Sequence, residues 1–122
     1  MKIAFSPVYK YELPPGHRFP MEKYELIPEQ LLYEGSVEEG QFFHPEPMQD
    51  EAIVLTHTAE YLEKLNTLNL SKKEIRDIGF PLKKELIVRG KHIAQGTYDC
   101  ALYAIQEGVA MNVAGGTHHS FA

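Results

Sequence analysis

Apolar positions along this chain change period in an order that predicts alternating strands and helices. Lys2 to Ser6 is a short apolar run closed by Pro7, as a buried strand feeding a loop would be. Tyr9 to Pro20, broken by Pro14-Pro15-Gly16, cannot continue a regular helix or central strand and is expected to form an ordered surface loop of the kind that often borders sites. From Met21 to Tyr33, residues Tyr24, Ile27 and Leu31 recur near helical spacing. Gly35 is the stop, and Pro28 is expected to kink this segment or start a second helical piece. Gln41 to Pro45 is a short strand-like piece, after which Asp50 is positioned to cap a helical turn through Ala52, Ile53 and Leu55.

Helical signals dominate the second half. Thr58 is placed to cap a helix from Ala59 to Leu65, with Tyr61, Leu62 and Leu65 on one face, and Ser71 with Glu74 three residues later forms a capping-box signature ahead of a short helix ending at Gly79. Lys83 to Glu107 is the longest periodic segment, its expected stripe running through Leu86, Ile93, Thr97, Ala101 and Ile105 to a stop at Gly108. Within it Gly90 and Gly96 each cost about 1 kcal/mol relative to alanine, a cost that close packing against a sheet would offset. Val109 to Val113 then reads as a second apolar strand. Two strands separated by mostly helical sequence make an α/β pattern. In open parallel sheets ligands gather beyond the carboxyl ends of strands, which is where the residues after Val113 would lie if that strand is interior. The chain contains no evident repeat, low-complexity tract or inter-domain linker.

Those residues are Ala114-Gly115-Gly116-Thr117-His118-His119. Two glycines without side chains permit positive φ and close approach of backbone or ligand. Adjacent histidines on a turn point in divergent directions, so one imidazole can face a substrate while the other is held by a partner, which suits proton transfer near neutral pH. Spacing alone also fits a polar turn that happens to contain two histidines. Direct metal ligation by both is disfavoured, because adjacent residues rarely bind one ion with good geometry. His44, His57 and His92 share no metal-ligand spacing and read as structural or surface residues.

Composition narrows the partners. A length of 122 residues suits one domain or a piece of one, and 43% hydrophobic content is ordinary for a globular protein. A net charge of −5 argues against a general nucleic-acid or anionic-membrane binder, since both rely on a basic surface, while a basic lysine-bearing partner is compatible. The single cysteine, Cys100, sits among Ala101, Leu102 and Ile105 and reads as a small buried apolar side chain. The run before Pro7 is too short for a signal peptide, and no segment approaches the roughly 20 apolar residues of a membrane span. A soluble cytoplasmic protein is the expectation.

The segment Asn112-Val113-Ala114-Gly115-Gly116-Thr117-His118-His119 resembles the "N-x-x-G-G-x-H-H" stretch of the zinc-dependent histone deacetylase family. Phe5-Ser6-Pro7-Val8-Tyr9 is similar to that family's opening strand and turn, and Thr56-His57-Thr58-Ala59-Glu60-Tyr61-Leu62 to its "H-x-x-x-Y-L" segment. His17-Arg18-Phe19-Pro20-Met21-Glu22-Lys23 resembles the "H-P-F-x-x-x-K" stretch of the class IV-like branch. The resemblance implies the arginase-deacetylase type of fold, with 1–122 as the N-terminal part of a single three-layer α/β/α catalytic domain built on a mainly parallel sheet. A sheet of only two strands would leave apolar faces unpaired. The expected partners are therefore the missing C-terminal part of the domain or a second copy of the chain.

What the resemblance implies chemically is hydrolysis of an acyl amide on a lysine-like amine of a protein, polyamine or small molecule, with zinc polarising the carbonyl. His119 would be the general base and later acid, and His118 its hydrogen-bonding companion. Gly116, Lys23 and His17 would lie along the substrate or product channel, although a helix lysine is ordinarily a solvated face residue and a loop histidine ordinarily bonds locally. In relatives the zinc ligands and an oxyanion-stabilising tyrosine come later, so the zinc of the complete protein would be held beyond Ala122, no metal would be bound by this chain alone, and the isolated chain should be inactive. Other classes carry a substrate-gripping aspartate where Ala59 stands, which weakens peptide recognition by that route. The competing reading is a stand-alone, non-catalytic binding or regulatory module built from a deacetylase half.

Overall fold

The computed structural model describes residues 1–116, so the double histidine at His118 and His119 lies outside the described residues. Three short strands form a parallel sheet in the order β2-β1-β3: β1 at Lys2–Ala4, β2 at Phe42–Phe43 and β3 at Ala110–Asn112. Ile3 faces Phe42 on one side and Met111 on the other. The sheet therefore has a third strand that the two-strand count omitted, because a two-residue strand carries almost no periodicity of its own. β1 is central and nearly inaccessible at Ile3 and Ala4, whereas β3 lies at an edge among the described residues.

Five α-helices fill the connections among the described residues: α1 (Lys23–Tyr33), α2 (Asp50–Ile53), α3 (Ala59–Asn66), α4 (Lys72–Ile78) and α5 (Lys84–Glu107). Most boundaries follow from local chemistry. The Thr58 hydroxyl accepts the Tyr61 N–H at 3.2 Å, and Ser71 and Glu74 complete a reciprocal capping box at 3.2 and 2.6 Å. Gly79 and Gly108 end α4 and α5 with φ of 82° and 92°, a region closed to most side chains. Two expectations fail locally. Pro28 lies buried inside α1 and starts no second helical piece, and Ile27, expected on the inner face, is exposed. Asp50 begins α2 rather than capping it, since Gln49 is the cap residue; the Asp50 carboxylate instead receives Lys91 Nζ at 2.8 Å and Asn66 Nδ2 at 3.0 Å, tying α2 and α3 to α5.

α5 lies on the sheet along a stripe of Leu86, Arg89, Ile93, Gly96 and Cys100, all buried. This differs from the expected stripe in its second half: Thr97, Ala101 and Ile105 are exposed, and the buried row advances by alternate steps of three and four residues. The loop after β1 also departs from expectation. It opens with a 3-10 turn at Pro7–Tyr9, and Tyr9, Tyr11 and Leu13 alternate inward against Met21, Tyr24, Phe80, Leu86, Ile93 and Ala114. Lys10 and Glu12 between them face outward, and the tip from Pro14 to Arg18 is continuously exposed.

Gly96 sits where this packing is tightest. A Cβ there would approach the Tyr9 hydroxyl to 2.6 Å, Asn112 Nδ2 to 2.9 Å and Pro45 Cγ to 3.2 Å. Gly90 faces open space. The pair therefore separates propensity from packing. We predict that Gly90→Ala raises the free energy of unfolding by about 0.5–1 kcal/mol, while Gly96→Ala lowers it by about 1–3 kcal/mol through overpacking. Tyr9→Phe should recover part of the Gly96→Ala loss, because it removes the closest atom, a buried hydroxyl with no hydrogen-bond partner among the described residues. Equilibrium urea unfolding of Gly90→Ala, Gly96→Ala, Tyr9→Phe and the Tyr9→Phe/Gly96→Ala double variant checks this.

The same burial holds the Tyr9 phenol well above its ordinary range, with the Cys100 thiol adding to the effect, and burial raises Tyr11 and Tyr61 as well. Phenols raised in the folded state contribute stability that is fully present below their ordinary value of 10.0 and lost as pH rises through the higher folded values. The urea midpoint should accordingly fall above about pH 10; a midpoint that holds or rises there would contradict the assignment.

Candidate active site

A cleft of about 570 Å³ opens between four segments: the end of the proline-rich loop, the start of α1, the α4–α5 junction and the chain that leaves β3. His17 and Phe19 come from the first, Lys23 and Tyr24 from the second, Asp77 to Phe80 from the third and Gly115-Gly116 from the last. The three residues expected along a channel, His17, Lys23 and Gly116, thus line one cavity although 99 positions separate the first from the last.

An aromatic cluster shapes the wall. Phe19 stacks on Tyr24 with centroids 6.2 Å apart and meets Phe80 edge-on at 5.0 Å, an arrangement that the ring quadrupoles favour. Lys23 Nζ lies 4.7 Å from the Phe19 centroid and 5.3 Å from that of Tyr24. It is therefore held over two ring faces at the cleft rather than spread into solvent as an ordinary helix-face lysine. His17 keeps to local bonding. Its Nδ1 accepts the Phe19 N–H at 3.2 Å, which leaves the proton on Nε2, directed at Gly79 O at 3.4 Å. With both nitrogens engaged, His17 fixes the loop against the α4–α5 junction and packs on Phe80.

Behind this wall lies a residue that the sequence reading missed. Arg89 is only 3% exposed, donates from Nε to the Tyr9 carbonyl at 2.6 Å, and places its guanidinium carbon 4.9 Å from the Tyr24 centroid and 5.9 Å from that of Phe80. Burial pushes its pKa down, the Tyr24 and Tyr9 side chains offset part of that, and a guanidinium remains charged throughout. No carboxylate pairs with it among the described residues, and Nη2 is buried without a partner. The signal was available: 86, 89, 93, 96 and 100 form a regular helical stripe, but an arginine on an amphipathic helix is normally assigned to the solvated face.

Gly115 does not use the left-handed conformation that glycine permits. Its φ lies outside the positive region, and the space its Cβ would occupy is empty, so its contribution to the cleft is open room. The chain reaches it from β3 through Val113, whose N–H continues the ladder to Ala4 O at 3.2 Å, and through buried Ala114. His118 and His119 follow Gly116 and Thr117 outside the described residues.

The other histidines serve the fold: His44 Nδ1 meets Phe5 O, His92 Nδ1 meets Pro45 O at 2.8 Å, and His57 packs on Tyr61. Cys100 is buried as expected, its Sγ donating to Met111 O at 3.1 Å and its pKa raised by burial. Among the described residues no three His, Cys, Asp or Glu side chains are grouped to hold a metal ion, so these residues do not fit a zinc site by themselves. No helix among them is long and apolar enough to cross a membrane.

Comparison with known proteins agrees with the placement of these segments. The histone deacetylase domain model matches residues 17–122, from the cleft histidine through the double-histidine segment. An uncharacterized protein of Picosynechococcus sp. is 33% identical over 119 residues, which is 98% of this chain and 40% of that protein, so the chain spans well under half the length of this relative. With a parallel sheet, a cleft lined by the chain that leaves β3 and a family match across most of its length, the chain belongs to the histone deacetylase domain family.

Proposed function

We propose that residues 1–122 form the N-terminal part of a zinc-dependent deacetylase domain of the class IV-like branch, which hydrolyses an acyl amide on a lysine-like amine. The observation that carries this reading is the cleft in which His17, Lys23 and Gly116 meet. Only two peptide units, about 7 Å at full extension, separate Gly116 from His118.

In this reading His119 accepts a proton from water as the water oxygen attacks the acyl carbon. It returns that proton to the departing amine when the C–N bond breaks. His118 holds the partner position, stabilising the imidazolium that forms on His119. The apolar ring wall of Phe19, Tyr24 and Phe80 accommodates the methylene stem of the substrate, and Lys23 supplies a cation for the carboxylate product. The zinc implied by the family would take its ligands from outside the described residues. Phe19 and Lys23 in the "H-x-F-x-x-x-K" spacing from His17 support the class IV-like branch.

The apolar surface of 1–116 supports a missing partner as well. Ile105 is 82% exposed, and Val109 and Met111, beside and on edge strand β3, are each 52% exposed. The remainder of the domain or a second copy would cover these exposed residues. Size-exclusion chromatography of the isolated 1–122 chain should show self-association or poorly cooperative melting; a well-behaved monomer with a sharp transition would count against this part of the proposal.

Replacing His119 by alanine in the complete protein should reduce turnover of an acetyl-lysine substrate by about 10²–10⁴-fold while leaving bound zinc, measured by atomic absorption, unchanged. Loss of the metal with the histidine would make His119 a ligand instead. A folded complete protein without turnover, retaining affinity for acyl-lysine, would favour the binding-module reading.

A further inference from the structure

Asn112, the last residue of β3, has its side chain committed in two directions. Its amide nitrogen donates to Ile93 O at 3.0 Å and to Thr97 Oγ1 at 3.1 Å, both on α5, while its carbonyl oxygen accepts the Ala114 N–H at 3.3 Å. Thr97 Oγ1 donates in turn to Ile93 O at 3.2 Å, so its lone pair is what meets the amide, and the orientation of the asparagine is determined. Gly96 makes this reach possible, since a Cβ there would stand 2.9 Å from Asn112 Nδ2. Few side chains combine a donor and an acceptor on so short a stem; aspartate lacks the donor, and its charge would face the Ile93 carbonyl.

We infer that Asn112 is a positioning residue: it clamps the chain leaving β3 to the middle of α5 and thereby sets the course of Gly115-Gly116 along the cleft. The clamp acts at Ala114, immediately before the first glycine, where the β ladder has already ended with Val113. Beyond Val113 it adds a directional bond to the packing of the small Ala114 side chain against the core. Its catalytic consequence rests on the proposed reading, in which that turn delivers His118 and His119.

The test compares two losses at the same α5–β3 seam. Asn112→Ala removes the clamp, whereas Cys100→Ala removes the thiol contact to Met111 O one residue away and leaves Ala114 untouched. In the complete protein Asn112→Ala should lower kcat on an acetyl-lysine peptide by about tenfold or more, with KM within about threefold, because misplacement of a reacting group by about 1 Å costs up to 10²-fold. Cys100→Ala should leave kcat within about twofold. Thr97→Val, which removes one partner of the amide and keeps the other, should lower kcat by a few-fold and serves if Asn112→Ala does not fold. Equal kcat losses in Asn112→Ala and Cys100→Ala would reduce Asn112 to a packing residue. Hydrogen exchange gives a readout independent of activity: Asn112→Ala, or Thr97→Val in its place, should accelerate exchange at the Ala114 amide while the Val113 amide, bonded to Ala4 O, stays protected. Unchanged Ala114 exchange overturns the clamp; a wild-type protein that shows the clamp but no turnover overturns the functional reading alone.

Discussion

The close approach of α5 to the sheet at Gly96 is the constraint on which the rest of the structure depends. One missing methyl group allows the Tyr9 ring, the Pro45 ring and the Asn112 amide to converge on the same turn of the helix. These three residues follow β1, β2 and end β3 respectively, so a single helix position registers all three strands against one another. A sheet of two- and three-residue strands has little hydrogen bonding of its own to hold that register. Packing of the connections takes over the task, as expected when strands are far below the usual five or six residues.

The same helix supplies the wall of the cleft. Two turns before Gly96, Arg89 passes under Tyr24 and Phe80 and donates to the Tyr9 carbonyl, so the loop, α1 and the α4–α5 junction meet around one buried guanidinium. Taking an unpaired cation out of water is costly, and two ring faces with one carbonyl compensate only partly. Its retention in the interior is intelligible if the aromatic wall must be held in one arrangement. A flexible aliphatic side chain in its place would fill the volume without directing any ring.

Much of this was legible in the sequence, and the failures have common physical causes. Caps and stops were readable because Thr58, Ser71 with Glu74, Gly79 and Gly108 act on their own neighbours in the chain. The family segments were readable for the same reason: they are continuous. Strand β2 reads from the sequence as a strand-like piece, but its place in the sheet does not, since pairing with β1 is a property of two segments about forty residues apart. The stripe on α5 drifted after Ile93 because exposed Ile105 looked like a better core residue than Arg89 or Gly96, and only contact with Tyr9 and Asn112 reveals why a glycine and a charge belong inside. Helical position alone makes Lys23 a solvated lysine, whereas the rings that hold it come from residues whose stacking no periodicity encodes. His118 and His119, the residues with the clearest chemical signature, lie outside the described residues, so their roles rest on the family and on the cleft that precedes them.

The most direct test of the account is the pH–rate profile of the complete protein acting on an acetyl-lysine peptide, read as release of free amine. A histidine base must be neutral to accept a proton from water, so kcat/KM should rise as pH increases through a titration near the ordinary histidine value of about 6.5. A rate that is absent in the folded protein, or that shows no titration between about pH 5 and 8, would contradict the claim that this chain brings a histidine base to an acyl-lysine cleft.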